Sequence, residues 1–219
     1  MGKPFTRILL WNDQVPRTPA GHMACDEALL GLAGAPVLRV YRWGEPALTF
    51  GYSQRLAAVL ALAHDRPAMR RWTGGGVVFH GNDLTLALAI PACDPLAAST
   101  SARIYQAIHE ALLPAIQVAA PTARMVPLED CRCGAVCFES PVAHDLVVGA
   151  RKLLGGAMRR SRGGILYQGS LQGAALDPDA LASALADSVR EFADIPGVEK
   201  VAEDLVRVRY GTDDWQNLR

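Results

Sequence analysis

Lysine is nearly absent from this chain: of 22 basic residues only Lys3, Lys152 and Lys200 are lysines, and the other 19 are arginines. Net charge is absent too, because 22 acidic residues balance the basic ones, and with it goes the electrostatic footprint of a nucleic-acid-binding protein. No apolar stretch approaches the roughly 20 residues that cross a bilayer; the longest, 56–63 and 84–90, suit a folded core. The N-terminus lacks a signal-peptide apolar region, and residues 1–6 meet the loose myristoylation pattern by chance. These absences predict a soluble, cytoplasmic protein with no nucleic-acid or membrane partner. A disulfide framework is disfavoured as well, because five cysteines are an odd number in a chain without a secretory signal. Cys131, Cys133 and Cys137 are clustered, but a closed zinc site wants a second ligand pair elsewhere, so no metal is expected. Cys25 and Cys93 read as small buried apolar residues.

With half of its 219 residues apolar, the chain can bury one substantial core. Strands are expected at 7–11, 37–43, 47–52, 77–79, 84–91 and 164–171, with 37–43 and 47–52 paired as a hairpin across Gly44-Glu45-Pro46. Helices are expected at 22–32 with Asp26 and Glu27 facing outward, at 55–64, at 99–118 with Pro114 bending or ending its last turns, and at 178–192 and 201–209. Residues 144–148 and 151–154 read as a hairpin over Gly149-Ala150, which would bring Asp145 near Lys152. Hairpins among helices, without βαβ alternation, indicate an α+β fold of mixed, largely antiparallel sheets flanked by helices.

The richest stretch is Arg70-Arg71-Trp72-Thr73-Gly74-Gly75-Gly76-Val77-Val78-Phe79-His80. Three consecutive glycines cost roughly 0.5–1 kcal/mol each in regular structure, a cost accepted where backbone turns tightly or hugs a ligand. The arginines offer fork-shaped donors for carboxylate or phosphate; the competing reading is a glycine-rich hairpin with surface arginines. A strand follows the glycines, so neither a Walker loop nor a dinucleotide fingerprint is present. His80 could orient the loop or serve as a structural hydrogen-bonder, and Asp83 reads as a solvated or capping residue. Lys152 follows Arg151 in a glycine-rich segment, where a compact ammonium on a flexible stem is set apart from the prevailing arginines. Cys137 precedes an irregular Phe138-Glu139-Ser140-Pro141 segment, and an ammonium near it would favour the nucleophilic thiolate; the alternative is a buried thiol.

Several of these stretches, in order, resemble the lipoate ligase, octanoyltransferase and biotin ligase catalytic-domain superfamily. Residues 23–29, MACDEAL, resemble its "MALDEAL" helix, and 39–43 with 48–54 resemble its "LRFYxW…xxGYxQ" strands. Residues 70–80 are similar to "RRxTGGGxVxHD", 149–157 to "GxRKxxGxA", and 210–215 to the closing "YxxxEW". The resemblance implies that fold as a single catalytic domain over 1–219 without a C-terminal accessory domain. It further implies Lys152 as a catalytic residue and an acyl or acyl-adenylate site formed by Arg71, Thr73, Gly74, Gly75, Gly76, His80, Gly155, Gly156, Ala157 and Gly169. Residues 136–141 resemble the "CFxxP" motif of the cysteine-dependent octanoyltransferases, which implies Cys137 as the acylated nucleophile. The implied activity is attachment of octanoyl or lipoyl groups to a lysine of a lipoyl-domain acceptor, of the glycine-cleavage H protein or 2-oxoacid dehydrogenase E2 type, with an acyl carrier protein as donor and no covalently bound cofactor. The alternatives are an ATP- and Mg-dependent lipoate ligase, with or without a separate accessory subunit, and a non-catalytic acyl- or adenylate-binding protein. Gly81 stands where the pattern has Asp, and Gln168 where it has His.

Overall fold

Residues 84–91 are apolar but for Thr85, a pattern that suits a strand covered on both faces, and 164–171 is apolar in its first half. In the computed structural model, which describes residues 2–128, 141–174, 176–192 and 195–218, they are β6 (Leu84–Pro91) and β10 (Gly164–Leu171), buried at every position. They pair antiparallel along their full lengths at the centre of an eight-stranded sheet. On one side of this pair lie β2 (Val37–Tyr41), β1 (Phe5–Asp13) and β11 (Ala186–Glu191); on the other lie β9 (Arg151–Ser161), β8 (Leu146–Val148) and β7 (Arg124–Met125). Among the described residues of this sheet, the parallel pairings are those of β1 with β2 and β11. One face is covered by α3 (Ser101–Ala119), through Ile104, Ile108, Leu112 and Ile116, and by α4 (Pro178–Leu185). The other is covered by α1 (Pro19–Leu32) and α5 (Val198–Leu205). The fold is α+β, as expected.

A second, three-stranded sheet is formed by β3 (Ala47–Phe50) between β4 (Ala68–Arg70) and β5 (Val78–His80), with α2 (Leu56–Ala63) packed on it through Val59 and Ala63. The expected hairpin between 37–43 and 47–52 does not form. Both edges of β2 are already taken, by β1 and β6, so the chain leaving Gly44-Glu45-Pro46 starts the new sheet. The expected helix at 178–192 also divides: α4 ends at Leu185, and Ala186–Glu191 becomes β11 because it completes the edge beside β1. At the C-terminus α5 begins at Val198, earlier than expected, and passes into a π-helical turn at Val206–Tyr210 and a short α6 (Asp213–Gln216). Pro114 does not end α3, which runs on to Ala119. The hairpin of β8 and β9 is present, but β9 continues through Gly155-Gly156-Ala157 to Ser161. Cys25 is buried as expected, and burial pushes its thiol up to about 12; Cys93 is exposed, contrary to expectation. No helix is long and apolar enough to cross a membrane among the described residues.

Candidate active site

The glycine loop leaves β4 and re-enters β5, so the small sheet carries it. Both arginines expected to reach a ligand turn inward to shape it. Arg70 is fully buried and donates to the carbonyls of Tyr52, Gln54, Trp215 and Gln216 at 2.5–2.9 Å, welding the loop's entry to the C-terminal turn. Trp215 returns a bond from its indole N–H to the Arg70 carbonyl. Arg71 donates to the Gly74 and Gly76 carbonyls at 2.9 and 2.8 Å, and to the Thr49 hydroxyl at 2.8 Å. Gly75 adopts φ 87°, a left-handed conformation that favours glycine. Gly51 must also be glycine, since a Cβ there would overlap the Gly75 carbonyl.

Between the small sheet, through Thr49, Val78 and His80, and the face of β9 and β10 lies a narrow slot. It is a tight cavity of about 30 Å³. Met23, Tyr41, Trp43 and Val78 give it apolar walls, and Gly155, Gly156, Ala157 and Gly169 give it a wall of bare backbone. Arg71 and His80 also line it. His80 is 7 % exposed, and burial outweighs the pull of Asp83 to hold it below the usual histidine range. Burial raises Asp83, but its interactions with His80 and the bonds from Ser170 and the Gly81 amide together more than offset it, holding the carboxyl below the usual range. Asp83 accepts from Ser170, Thr85 and the Gly81 amide as well as from His80 Nδ1. An ionised carboxylate only accepts, so the His80 proton sits on Nδ1 and Nε2 accepts from Thr49 at 2.8 Å. The result is a directed relay, Arg71 to Thr49 to His80 to Asp83, across one wall of the slot. Asp83, expected in solvent, is its buried terminus.

Lys152 lies at the opposite wall, 2 % exposed, with Nζ 2.7 Å from Asp145 Oδ2. The hairpin places them so: Val147 pairs with Lys152, and a register shift at Leu146 and Val147 turns the lysine towards Gly155. A Cβ on Gly155 would stand 2.8 Å from Lys152 Cδ and 3.4 Å from Nζ. Asp145 accepts at Oδ1 from the Tyr105 hydroxyl at 2.5 Å and at Oδ2 from the Val142 amide at 2.8 Å. The Tyr105 hydroxyl accepts in turn from the Gly156 amide at 2.9 Å, so helix α3 ties the lysine's partner to the slot wall. Burial and then Asp145 push Tyr105 well above the usual phenol range, which keeps it a donor. Behind it, His109 is held at about 3 by burial and meets the Tyr167 hydroxyl at 2.8 Å.

Beside the slot sits a third cluster that the sequence reading did not single out. Arg39, fully buried, bonds Asp13 at 2.6 Å and Asp26 at 2.5 Å. Asp26 was expected on the outer face of its helix; it is buried because α1 packs against the sheet over Arg39. Glu27 is half-buried and bonds Arg209 and Tyr210. Arg39 could have been suspected, since it is a lone charge in the apolar VLRVY strand. Of the expected site residues, Arg71, His80, Gly155, Gly156, Ala157 and Gly169 line the slot and Lys152 stands behind Gly155; Thr73 touches the lining through Gln168, while Gly74, Gly75 and Gly76 lie outside it, the Gly74 and Gly76 carbonyls meeting it through their bonds to Arg71. Cys137, with Cys131 and Cys133, lies outside the described residues.

The Lipoyl protein ligase A/B catalytic domain family matches residues 18–207. Among individual relatives, the octanoyltransferase LipM of Staphylococcus epidermidis is 33 % identical over 181 residues, covering 74 % of this chain and 65 % of that protein. The LipM of Kyrpidia tusciae is 33 % identical over 190 residues, covering 78 % of this chain and 69 % of its own length. The chain thus spans slightly less than two thirds of the Staphylococcus relative. In three dimensions it is similar to the Thermoplasma acidophilum protein Ta0514 with bound lipoic acid, at TM-score 0.73 and 20 % identity over 97 % of this chain and 98 % of that one. It is also similar to a lipoate-protein ligase A bound with ATP, at TM-score 0.71 and 21 % identity over 97 % and 98 %; at such identities these likenesses concern the fold. On the extent of the family match and the identity of these relatives, the chain belongs to the lipoyl protein ligase A/B catalytic domain family.

Proposed function

We propose that the protein is an acyltransferase that moves an octanoyl group from an acyl-carrier thioester to the lysine amine of a lipoyl-domain acceptor. The observation that supports this most is the buried Lys152–Asp145 pair, set 3.4 Å from the Cβ position of Gly155, which itself lines a narrow apolar slot. A slot with apolar walls suits a medium-length acyl chain. A fixed ammonium beside bare backbone suits the carbonyl at the chain's end, where negative charge develops on oxygen as a nucleophile adds. Asp145 holds that ammonium in place, and Tyr105 holds Asp145.

In the first half-reaction the Cys137 sulfur attacks the donor thioester. The new S–C bond forms, the carrier's S–C bond breaks, and the cysteine proton leaves with the carrier thiol. In the second, the acceptor amine attacks, the C–N bond forms, and the Cys137 S–C bond breaks as the amine's proton returns to sulfur. Cys137 enters this scheme on its CFESP sequence and on the likeness to octanoyltransferases. A second reading is ATP-dependent ligation, which the resemblance of 70–80 to the superfamily's RRxTGGGxVxHD pattern also supports. In that reading the loop backbone and Lys152 would hold an acyl-adenylate. A two-part lipoate ligase studied with its E2 lipoyl domain, from T. acidophilum, shares the fold at TM-score 0.66.

The test offers a lipoyl domain together with either octanoyl-carrier protein or lipoate plus Mg-ATP, and weighs acceptor and enzyme by mass spectrometry. The proposal expects an octanoyl thioester on the wild type, removable by hydroxylamine and absent from Cys137→Ala. Full ATP-dependent ligation by Cys137→Ala would select the ligase, and no modification under either condition would leave a binding protein.

A further inference from the structure

Only one side-chain hydrogen bond among the described residues joins Thr73, at the head of the glycine loop, to the large sheet. The Thr73 hydroxyl donates to Gln168 Oε1 at 2.7 Å, and Gln168 Nε2 donates to Asp26 Oδ2 at 2.7 Å and approaches Met23 Sδ at 3.4 Å. Asp26 is in turn fixed by Arg39 and by the Tyr41 hydroxyl. All of these residues are buried, and Met23, Tyr41 and Gln168 line the slot. Gln168, which lines the slot, therefore joins the buried Arg39–Asp26 cluster to Thr73 at the head of the glycine loop. An amide is suited to this because it donates at one end, to a carboxylate, and accepts at the other, from a hydroxyl.

We propose that Gln168 is a positioning residue that latches the glycine loop to the buried Arg39–Asp26 cluster and so sets the loop's position beside the bound acyl group. The clause about the acyl group rests on the function proposed above; the latch itself does not. Removing the amide frees Thr73 from the cluster but leaves Asp26 its bonds from Arg39 and Tyr41, so the fold keeps its buried ion pair.

Hydrogen exchange of the peptide covering 72–77 reads the latch directly. In Gln168→Leu that peptide should exchange up to about tenfold faster, the equivalent of one lost buried hydrogen bond, while β6 and α3 stay at wild-type protection. Thr73→Val should do the same, and the double variant should be no faster than either single one, because both remove one bond. Gln168→Glu adds a sign that simple loosening would not give. Protonated, the new carboxyl can donate to Asp26 as the amide does; ionised, it faces the Asp26 carboxylate. The charged and titratable groups around it are Asp26 on α1, Arg39 and Tyr41 on β2, and Arg71 and His80 across the slot. Loop protection of this variant, measured against wild type at the same pH, should be near normal at about pH 5 and fall towards about pH 8.5. In octanoyl transfer, Gln168→Leu should raise KM for the donor about tenfold with kcat within about threefold. Wild-type exchange of 72–77 in Gln168→Leu, multiplicative effects in the double variant, or a pH-independent Gln168→Glu would each overturn the latch. Should Gln168→Leu fail to fold, Thr73→Val and the pH series decide it. If the wild type transfers no acyl group, the proposed function fails, and the exchange result still judges the latch.

Discussion

The two glycine-rich segments, the loop at 74–76 and the strand at 155–156, are glycine-rich for opposite reasons. At 74–76 the glycines let the backbone turn: Gly75 is left-handed, and Gly51 is bare so that the Gly75 carbonyl can lie against it. At 155–156 the backbone is ordinary strand, and the missing Cβ makes room for other side chains. A Cβ on Gly156 would overlap the Tyr167 ring, one on Gly169 directly across the ladder would sit 2.5 Å from the Tyr167 hydroxyl, and one on Gly155 would meet Lys152. The first segment is a backbone device shaped by arginines; the second is a packing device that seats a tyrosine and a lysine. The same residue type thus marks conformation in one segment and volume in the other.

The largest expected effect attacks the packing segment at its charge. Lys152→Met should lower acyl transfer by about 10²–10³, the scale of one lost donor to a developing oxyanion. It should also cost about 3–5 kcal/mol in urea unfolding, because Asp145 is left as a buried unpaired carboxylate. Adding Asp145→Asn should return most of the stability but none of the activity, which separates the two roles.

Gly156→Ala tests the volume reading. It should destabilise by about 1–3 kcal/mol, the range for overpacking a filled core, seen as a lower urea midpoint at unchanged slope. A wild-type midpoint would mean that Tyr167 has another place to go.

Acid titration compares two buried histidines. Burial holds His22, under the Arg39 cluster, and His109, behind Lys152, both at about 3. His22 Nε2 and His109 Nδ1 have no hydrogen-bond partner among the described residues. Because these folded values lie below the unfolded value near 6.5, the two neutral histidines favour the fold fully above about pH 6.5, and that contribution is lost as pH falls towards about 3. By pH 5 the loss should be on the order of 2 kcal/mol per histidine. His109→Phe should remove its share of the slope in a stability–pH series, and an unchanged slope would show that His109 does not stay neutral.

The smallest effect is expected in the glycine loop. Gly74 has nothing within 4 Å of its Cβ position and no left-handed φ. Gly74→Ala should therefore change stability by less than about 0.5 kcal/mol. The comparison with Gly156→Ala is then direct: one methyl, two segments, one tolerated.

Much of this was legible beforehand where the signal is local. A nearly continuous apolar run marked β6, the Gly149-Ala150 turn marked the β8–β9 hairpin and hence the Asp145–Lys152 contact, and the order of motifs marked the family. What failed depended on partners far along the chain. Ala186–Glu191 is polar enough to read as an amphipathic helix, and it is a strand because β1 offers an open parallel edge 181 residues earlier. Asp26 and Asp83 look like surface acids from their neighbours in sequence; Arg39 and His80 decide otherwise.

By itself the sequence determined the two glycine segments, the scarce lysine between them and the apolar strands that carry both, because turn chemistry and hydrophobic period act within a few residues. Only the tertiary structure decided that the arginines of the glycine loop face inward, that Tyr105 from α3 steadies the lysine's partner, and that Gln168 reaches the loop. The reason is the cost of burying polar groups: each donor and acceptor taken from water must find a partner, and which one it finds is settled by the packing of distant elements.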